Sequence, residues 1–255
     1  MKRFLSVFLL LGILIPAPAA LAQRRAAADS SVFRPSQLIA PGLLIGSGVG
    51  IHCFGHDAID VPVNDWFQNE VRAGGPALRF DDWIQYVPIT MDMGLGLLGV
   101  PAEHGFVDRF IEGSLSCLML GIVSGTMKKV IDSPRPGGGR HNSFPSGHTD
   151  WVFVGATLVR LEYGWGWGAG AYAIATTVAV MRNYNNRHWL SDCLCGAGLG
   201  ILAAHAGRWL LEPTKNALGI RTGSWGNGRH NVQASIAPVI DPYSGTVCTA
   251  LALRF

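Results

Sequence analysis

Two stretches, Ser36 to Phe54 and Gly164 to Met181, contain no Asp, Glu, Lys or Arg, and each approaches the length at which a helix spans a bilayer. Backbone polar groups in such stretches must be satisfied locally, which selects helices that pack against one another. The remaining apolar runs are interrupted by single charges: Asp92 within Trp83 to Ala102, Glu112 within Phe110 to Met127, and Arg160 and Glu162 after Trp151 to Val159. Asp192 also sits in an otherwise uncharged stretch, where a carboxylate needs a partner, and His188 is the nearest candidate. Together these runs predict helices at about 36–54, 82–100, 107–131, 146–162, 167–183 and 189–211. Gly196, Gly198 and Gly200 favour close helix approach. Trp165, Trp167, Trp189 and Trp209 lie near segment ends, as either an interfacial aromatic belt or core aromatics. Residues 57–80 read as a polar connector with short helical turns, broken by Pro62, Gly74, Gly75 and Pro76.

With 255 residues the chain fits one domain with appendages. Lys2 and Arg3, the apolar run Phe4 to Ile15 and the Ala20-Leu21-Ala22 site read as a signal peptide over 1–22, with export of the remainder. The helical domain is expected over 23–212 and an extension over 213–255. In that extension, alternation at Val232 to Pro238 and Thr249 to Phe255 flanks the turn Asp241 to Gly245 and predicts a β-hairpin. A net charge of +3 without a long basic run argues against nucleic acid as a partner. Mean hydropathy of +0.27 lies between that of a soluble enzyme and a polytopic membrane protein. Cys53, Cys117, Cys193, Cys195 and Cys248 form no zinc or redox spacing, and four of them lie in apolar segments.

Three short motifs carry chemistry. Lys128 and Arg135-Pro136 form a K-x6-R-P pattern at the end of the third helix, where Pro134 and Pro136 force extended chain and let both cations turn into one pocket. Pro145-Ser146-Gly147-His148 opens the fourth helix: Ser146 suits the N-cap, Gly147 permits close backbone approach and free amides there bind anions. Arg182, His188 and Asp192 form R-x5-H-x3-D, with His188 and Asp192 at i and i+4 so that the carboxylate can orient the imidazole. Taken singly, each is compatible with a solvated helix end, a capped turn or a buried ion pair. Arg140, His141 and Arg187 lie beside the motifs, and a zinc reading from His141, His148, His188 and Asp192 lacks a known zinc spacing.

In order and spacing the three motifs resemble the type 2 phosphatidic acid phosphatase (PAP2) superfamily, which shares its phosphate pocket with the vanadium haloperoxidases. Asp81 to Tyr86 and Asn183 to Trp189 resemble exported members from Bacteroides-like bacteria. The resemblance covers Lys128 to Asp192 strictly and the surrounding helices loosely. It implies a mainly α fold, a six-helix bundle of the PAP2 type, with the small C-terminal β-hairpin added. It further implies a phosphatase that needs no cofactor or metal and acts on a phosphorylated lipid or other phosphate ester at a membrane. His188 would attack phosphorus, Asp192 would orient it, and His148 would protonate the leaving alkoxide and then activate water. Lys128, Arg135 and Arg182, with the amides around Ser146 and Gly147, would hold the phosphate oxygens. The family's third motif usually begins Ser-Arg, whereas Met181 precedes Arg182 here. The alternatives are a vanadate-dependent haloperoxidase and a non-catalytic phospholipid-binding membrane protein.

Overall fold

The computed structural model describes residues 33–225, 233–240 and 247–254. Six helices organise these residues. Helix α1 runs Pro35–Arg72; it is followed by α2 (Asp81–Ile84), α3 (Val87–Leu97), α4 (Phe106–Val130), α5 (Gly147–Tyr184) and α6 (Leu190–Leu218). The expected signal peptide lies outside the described residues.

The polar stretch after Phe54 continues α1 as far as Arg72 and is not the predicted connector. It widens into π-helical turns over Ile51–Asp60 and Phe67–Arg72. Tertiary partners override the local signal here. The buried Asp60 carboxylate accepts from Ser191 N (2.9 Å) and Ser191 Oγ (2.6 Å), and Gln68 Nε2 donates to the Asn183 carbonyl (3.1 Å). The foot of α6 and the end of α5 are thereby tied to α1.

Helix α5 has two arms, because Gly164 takes φ 77° and ψ −174°, a conformation open to a residue without Cβ. The arms match the two helices expected at 146–162 and 167–183. They fold against each other through Val152, Ala156 and Val159 on one side and Ala171, Ala175 and Val178 on the other. A second cluster joins Leu120 of α4, Val154 and Leu158 of α5, and Leu199, Ala203 and Ala204 of α6.

Helix α6 is central. Of its most apolar window 72% is buried in the protein, against 11% for that of α1. A Cβ on Gly196 would lie 2.8 Å from the Ser146 carbonyl oxygen, and one on Gly200 would collide with the Asp150 carbonyl. The missing side chains let the start of α5 rest directly on α6. The helix also runs past the boundary expected at 212, and the chain beyond it packs back on α4: Phe106 N donates to Trp225 O (2.7 Å) and Thr222 Oγ1 to Asp108 Oδ1 (2.6 Å).

Helices α1, α4 and α6 are long and apolar enough to cross a membrane. Leu43 and Phe54 on α1 and Leu118 and Ile122 on α4 are exposed. Each such side chain gains about 1.5–3 kcal/mol from an apolar environment, which a bilayer supplies. The helical domain is that of a membrane protein. Trp165 and Trp167 are exposed beside the Gly164 bend, whereas the indoles of Trp189 and Trp209 donate to Pro134 O (2.8 Å) and Gln37 Oε1 (3.0 Å). An apolar body with a polar tip satisfied in this way suits the two ends of a membrane-embedded bundle.

Strands β1 (Gln233–Ile240) and β2 (Val247–Arg254) pair antiparallel, Gln233 opposite Arg254 through Ile240 opposite Val247. The turn expected at Asp241 to Gly245 lies outside the described residues.

Candidate active site

The end of α4 and the starts of α5 and α6 meet at one end of the bundle. The Lys128 ammonium, on the last turn of α4, donates to the Pro145 carbonyl, and Ser146 N donates to the Asp192 carbonyl (3.0 Å). The intervening loop folds on itself: Ser133 bridges Asn142, Arg135 N donates to Arg140 O (3.1 Å), and Arg135 Nε donates to Asn142 Oδ1 (3.2 Å). The Trp189 indole closes this loop onto the third motif through Pro134.

His188 is 2% exposed. Its Nδ1 faces two acceptors, the Ser143 carbonyl (2.9 Å) and Asp192 Oδ2 (3.2 Å), so Nδ1 carries the proton and Nε2 keeps a lone pair. Asp192 Oδ2 also accepts from Trp189 N (2.9 Å) and from the Ser143 hydroxyl. The orienting carboxylate is therefore itself oriented. Burial, reinforced by the charges of Arg182 and Arg135 against the pull of Asp192, pushes the His188 pKa down to about 4. At neutral pH the ring is uncharged and its Nε2 is available as a nucleophile.

His148 lies on the first turn of α5, with Nε2 3.1 Å from Asp82 Oδ1. Burial and the Arg182 charge hold its pKa below the usual histidine value, while Asp82 draws it back up. Arg182, nearly buried, donates from Nη1 to Asp81 Oδ2 (2.7 Å) and approaches Asp82 Oδ1 (3.4 Å). Asn185 Nδ2 steadies Asp81 from the other side (3.1 Å). A cavity of about 250 Å³ opens here, walled by Arg79, Asp81, Asp82, Arg182, Asn185 and Arg187. The two histidines are not among its walls; Arg182 and Asp82 connect it to them.

Cations predominate around the motifs. Burial and the neighbouring Arg182, Arg140 and Arg187 all press the Arg135 pKa below its usual value. Such mutual repulsion in a half-buried pocket is relieved by a bound anion. Ser146 occupies the N-cap position, but its hydroxyl is buried and accepts from Thr149 Oγ1 (2.9 Å), so it does not cap the helix. The Ser146 amide is held by the Asp192 carbonyl, so the amides at this helix start that could meet an anion are those that follow, from Gly147 onward. His141 pairs with Asp132 on the surface (2.9 Å), so the zinc grouping of His141 with His148, His188 and Asp192 gains no support. Met181 is fully buried in the bundle.

Some residues of the site have no role in the three-motif reading. Asp81 and Asp82 open the Asp81 to Tyr86 segment, where adjacent carboxylates before an apolar run are the available signal. Ser143 touches both His188 and Asp192 and lies two residues before the proline of the second motif. Asp60 gives no local signal, since its partner Ser191 is distant in sequence.

The cationic turn and the oriented histidine lie in the part of the chain that a family model matches. Residues 129–214 match the model of the PAP2 superfamily. Lys128 precedes the matched segment by one position; the other motif residues lie inside it. Among curated proteins, the lipid A 1-phosphatase of Porphyromonas gingivalis is 35% identical over 147 residues, 55% of this chain and 32% of the relative. The chain thus spans about a third of the length of that relative. No solved structure matches the chain.

Proposed function

We propose that the protein is a phosphatase that hydrolyses a phosphomonoester or diphosphate on a lipid, through a phosphohistidine at His188 and without a metal. The observation that carries this reading is the His188 ring, buried and neutral, with its Nδ1 proton held by Ser143 O and Asp192 while Nε2 is left basic. In the first step Nε2 attacks phosphorus, the P–O bond to the lipid breaks, and His148 gives its proton to the departing alkoxide. In the second, His148, now neutral, takes a proton from water, whose oxygen displaces His188 and releases phosphate. Lys128, Arg135 and Arg182, with the amides from Gly147 onward, stabilise the charge on the phosphoryl oxygens. Asp81 and Asp82 hold Arg182 in place and exchange part of that contact for the substrate.

The three long apolar helices support a lipid substrate, its tail beside the bundle and its phosphate at the motif end. The name of the Porphyromonas relative supports the phosphates of lipid A as a candidate, beside phosphatidic acid, phosphatidylglycerol phosphate and undecaprenyl diphosphate. With a signal peptide over 1–22, the catalytic domain after it and a hairpin-bearing extension at the C-terminus, the site would face the periplasm at the inner membrane.

The test is phosphate release from these four lipids in detergent with EDTA present. Turnover of at least one lipid, insensitive to EDTA and abolished in His188→Ala, is expected; full activity of His188→Ala or recovery only on metal addition contradicts the mechanism.

A further inference from the structure

A groove of about 590 Å³ runs between α1, α5 and α6, well away from the motif end. Arg160 lies twelve residues along α5 from His148, roughly 18 Å at 1.5 Å per residue. Phe153, Leu161, Tyr172 and Ile201 form its apolar walls; Arg160 and His205 are polar on the α5 and α6 side, and Arg34, Ser36 and Gln37 on the α1 side. Trp165, exposed on the bundle surface, also lines it and stacks under the Arg160 guanidinium at 5.4 Å.

On the α5 and α6 side of this groove the polar groups are donors. Arg160 Nη2 lies 3.1 Å from His205 Nε2. A guanidinium can only donate, so His205 Nε2 accepts and the proton of the neutral ring resides on Nδ1. His205 is 5% exposed, and its Nδ1 is buried with no hydrogen-bond partner among the described residues. Among those residues no carboxylate pairs with Arg160 either. A half-buried cation without a carboxylate and a buried N–H without an acceptor, set beside apolar walls, are complementary to an anion joined to a hydrocarbon chain. Trp165 and Tyr172, which line the groove beside this donor pair, are of the residue types that concentrate at membrane interfaces.

We infer that this groove binds a bilayer phospholipid of the anionic class, its phosphate on Arg160 and His205 and one acyl chain along Phe153, Leu161 and Ile201. Because about 18 Å of α5 separates Arg160 from His148, this lipid's phosphate is distinct from the one held at the catalytic motifs. The molecule acts as a bound structural lipid that fills the seam where α1 leans on α5 and α6.

Native mass spectrometry of the full chain, purified in detergent, tests this with phosphatidylglycerol, phosphatidylcholine of matched acyl chains, and inorganic phosphate. The expected result is retention of one phosphatidylglycerol about tenfold tighter than phosphatidylcholine, and no retention of phosphate alone. Arg160→Gln and, separately, His205→Phe should reduce that preference severalfold, Arg160→Lys should restore most of it, and hydrolysis of p-nitrophenyl phosphate should stay at the parent level in all three. Equal retention of the two lipids by the parent protein overturns the proposal, as does binding of inorganic phosphate at this site or an undiminished preference in folded Arg160→Gln. The lipid readout does not depend on turnover, so it stands or fails separately from the phosphatase reading.

Discussion

Both ends of the bundle bury charge, and they do opposite things with it. At the end remote from the motifs, Arg208 lies among acidic residues: Nε donates to Glu112 Oε1 (2.8 Å), Nη2 pairs with Glu162, and Nη1 lies 3.1 Å from His104 Nδ1. The carboxylates of Glu112 and Glu162 and the imidazole of His104 come close enough to hold a metal ion, yet the guanidinium already stands among them. At the motif end the balance is reversed. Lys128, Arg135 and Arg182 outnumber their partners there: Asp192 is held by Trp189 and Ser143, Arg182 pairs with Asp81, and a basic nitrogen of His188 is left over. Burial of charge therefore does not by itself mark a functional site. The distinguishing property is which hydrogen-bonding capacity remains once the protein's own partners are counted.

The contrast can be broken at either end. Arg182→Gln should lower kcat/KM for phosphate ester hydrolysis by about 10²–10³-fold, the usual loss when one stabilising donor is removed. It also strands the buried Asp81, so the variant should be less stable; adding Asp81→Asn should recover the melting temperature without recovering the rate. If the double variant regained activity, Arg182 would be a structural residue and no phosphate ligand. Arg208→Gln should have the complementary phenotype, a loss of about 3–5 kcal/mol of stability because Glu112 and Glu162 lose their counter-charge, with kcat of the folded fraction close to that of the parent. Denaturation and active-site titration on the same preparation separate these effects.

Smaller effects are expected from titration. His188 must be neutral to attack, so kcat/KM should rise with pH through about 4. His148 must be protonated to donate, so kcat/KM should fall as pH climbs through a value below the ordinary 6.5 of histidine. Asp82 is a carboxylate that raises the His148 pKa, and Asp82→Asn should shift the alkaline limb to lower pH while leaving the acid limb in place. At the other end, burial works against the His104 charge but the adjacent Glu162 wins, and its pKa is raised in the folded protein. The stability it contributes is present below the unfolded value of about 6.5 and is lost as pH rises through the raised folded value. His104→Ala should therefore lower the melting temperature more at pH 6 than at pH 9, with no change in the pH profile of activity.

The difference between the two ends also explains what could be read from the chain. Motif residues were legible because the chemistry fixes type and spacing locally: His188 and Asp192 share a helical face, and proline and glycine shape the turns at Arg135 and Gly147. The helices were legible from uncharged apolar runs, and the bend at Gly164 falls in the gap between two of them. Partners supplied from far along the chain were not legible. Asp60 reaches Ser191, Asp82 reaches His148 and Arg208 reaches Glu112 only after the bundle has assembled. The same cause extended α1 through 57–72, since its polar face there is satisfied by α5 and α6. Asp192, in an otherwise uncharged stretch, did announce that it needed a partner, and His188 lies 3.2 Å from it.

The central claim is that His188 Nε2 forms the covalent bond to phosphorus, and trapping that bond tests it most directly. With ³²P-labelled p-nitrophenyl phosphate, whose leaving group needs no proton, His148→Ala should form the phosphoenzyme and hydrolyse it slowly. A rapid quench should then yield acid-labile, base-stable label on the protein that maps to His188 and is missing from His188→Ala/His148→Ala. Label on another residue, or turnover by His148→Ala with no labelled protein at any quench time, would contradict the account.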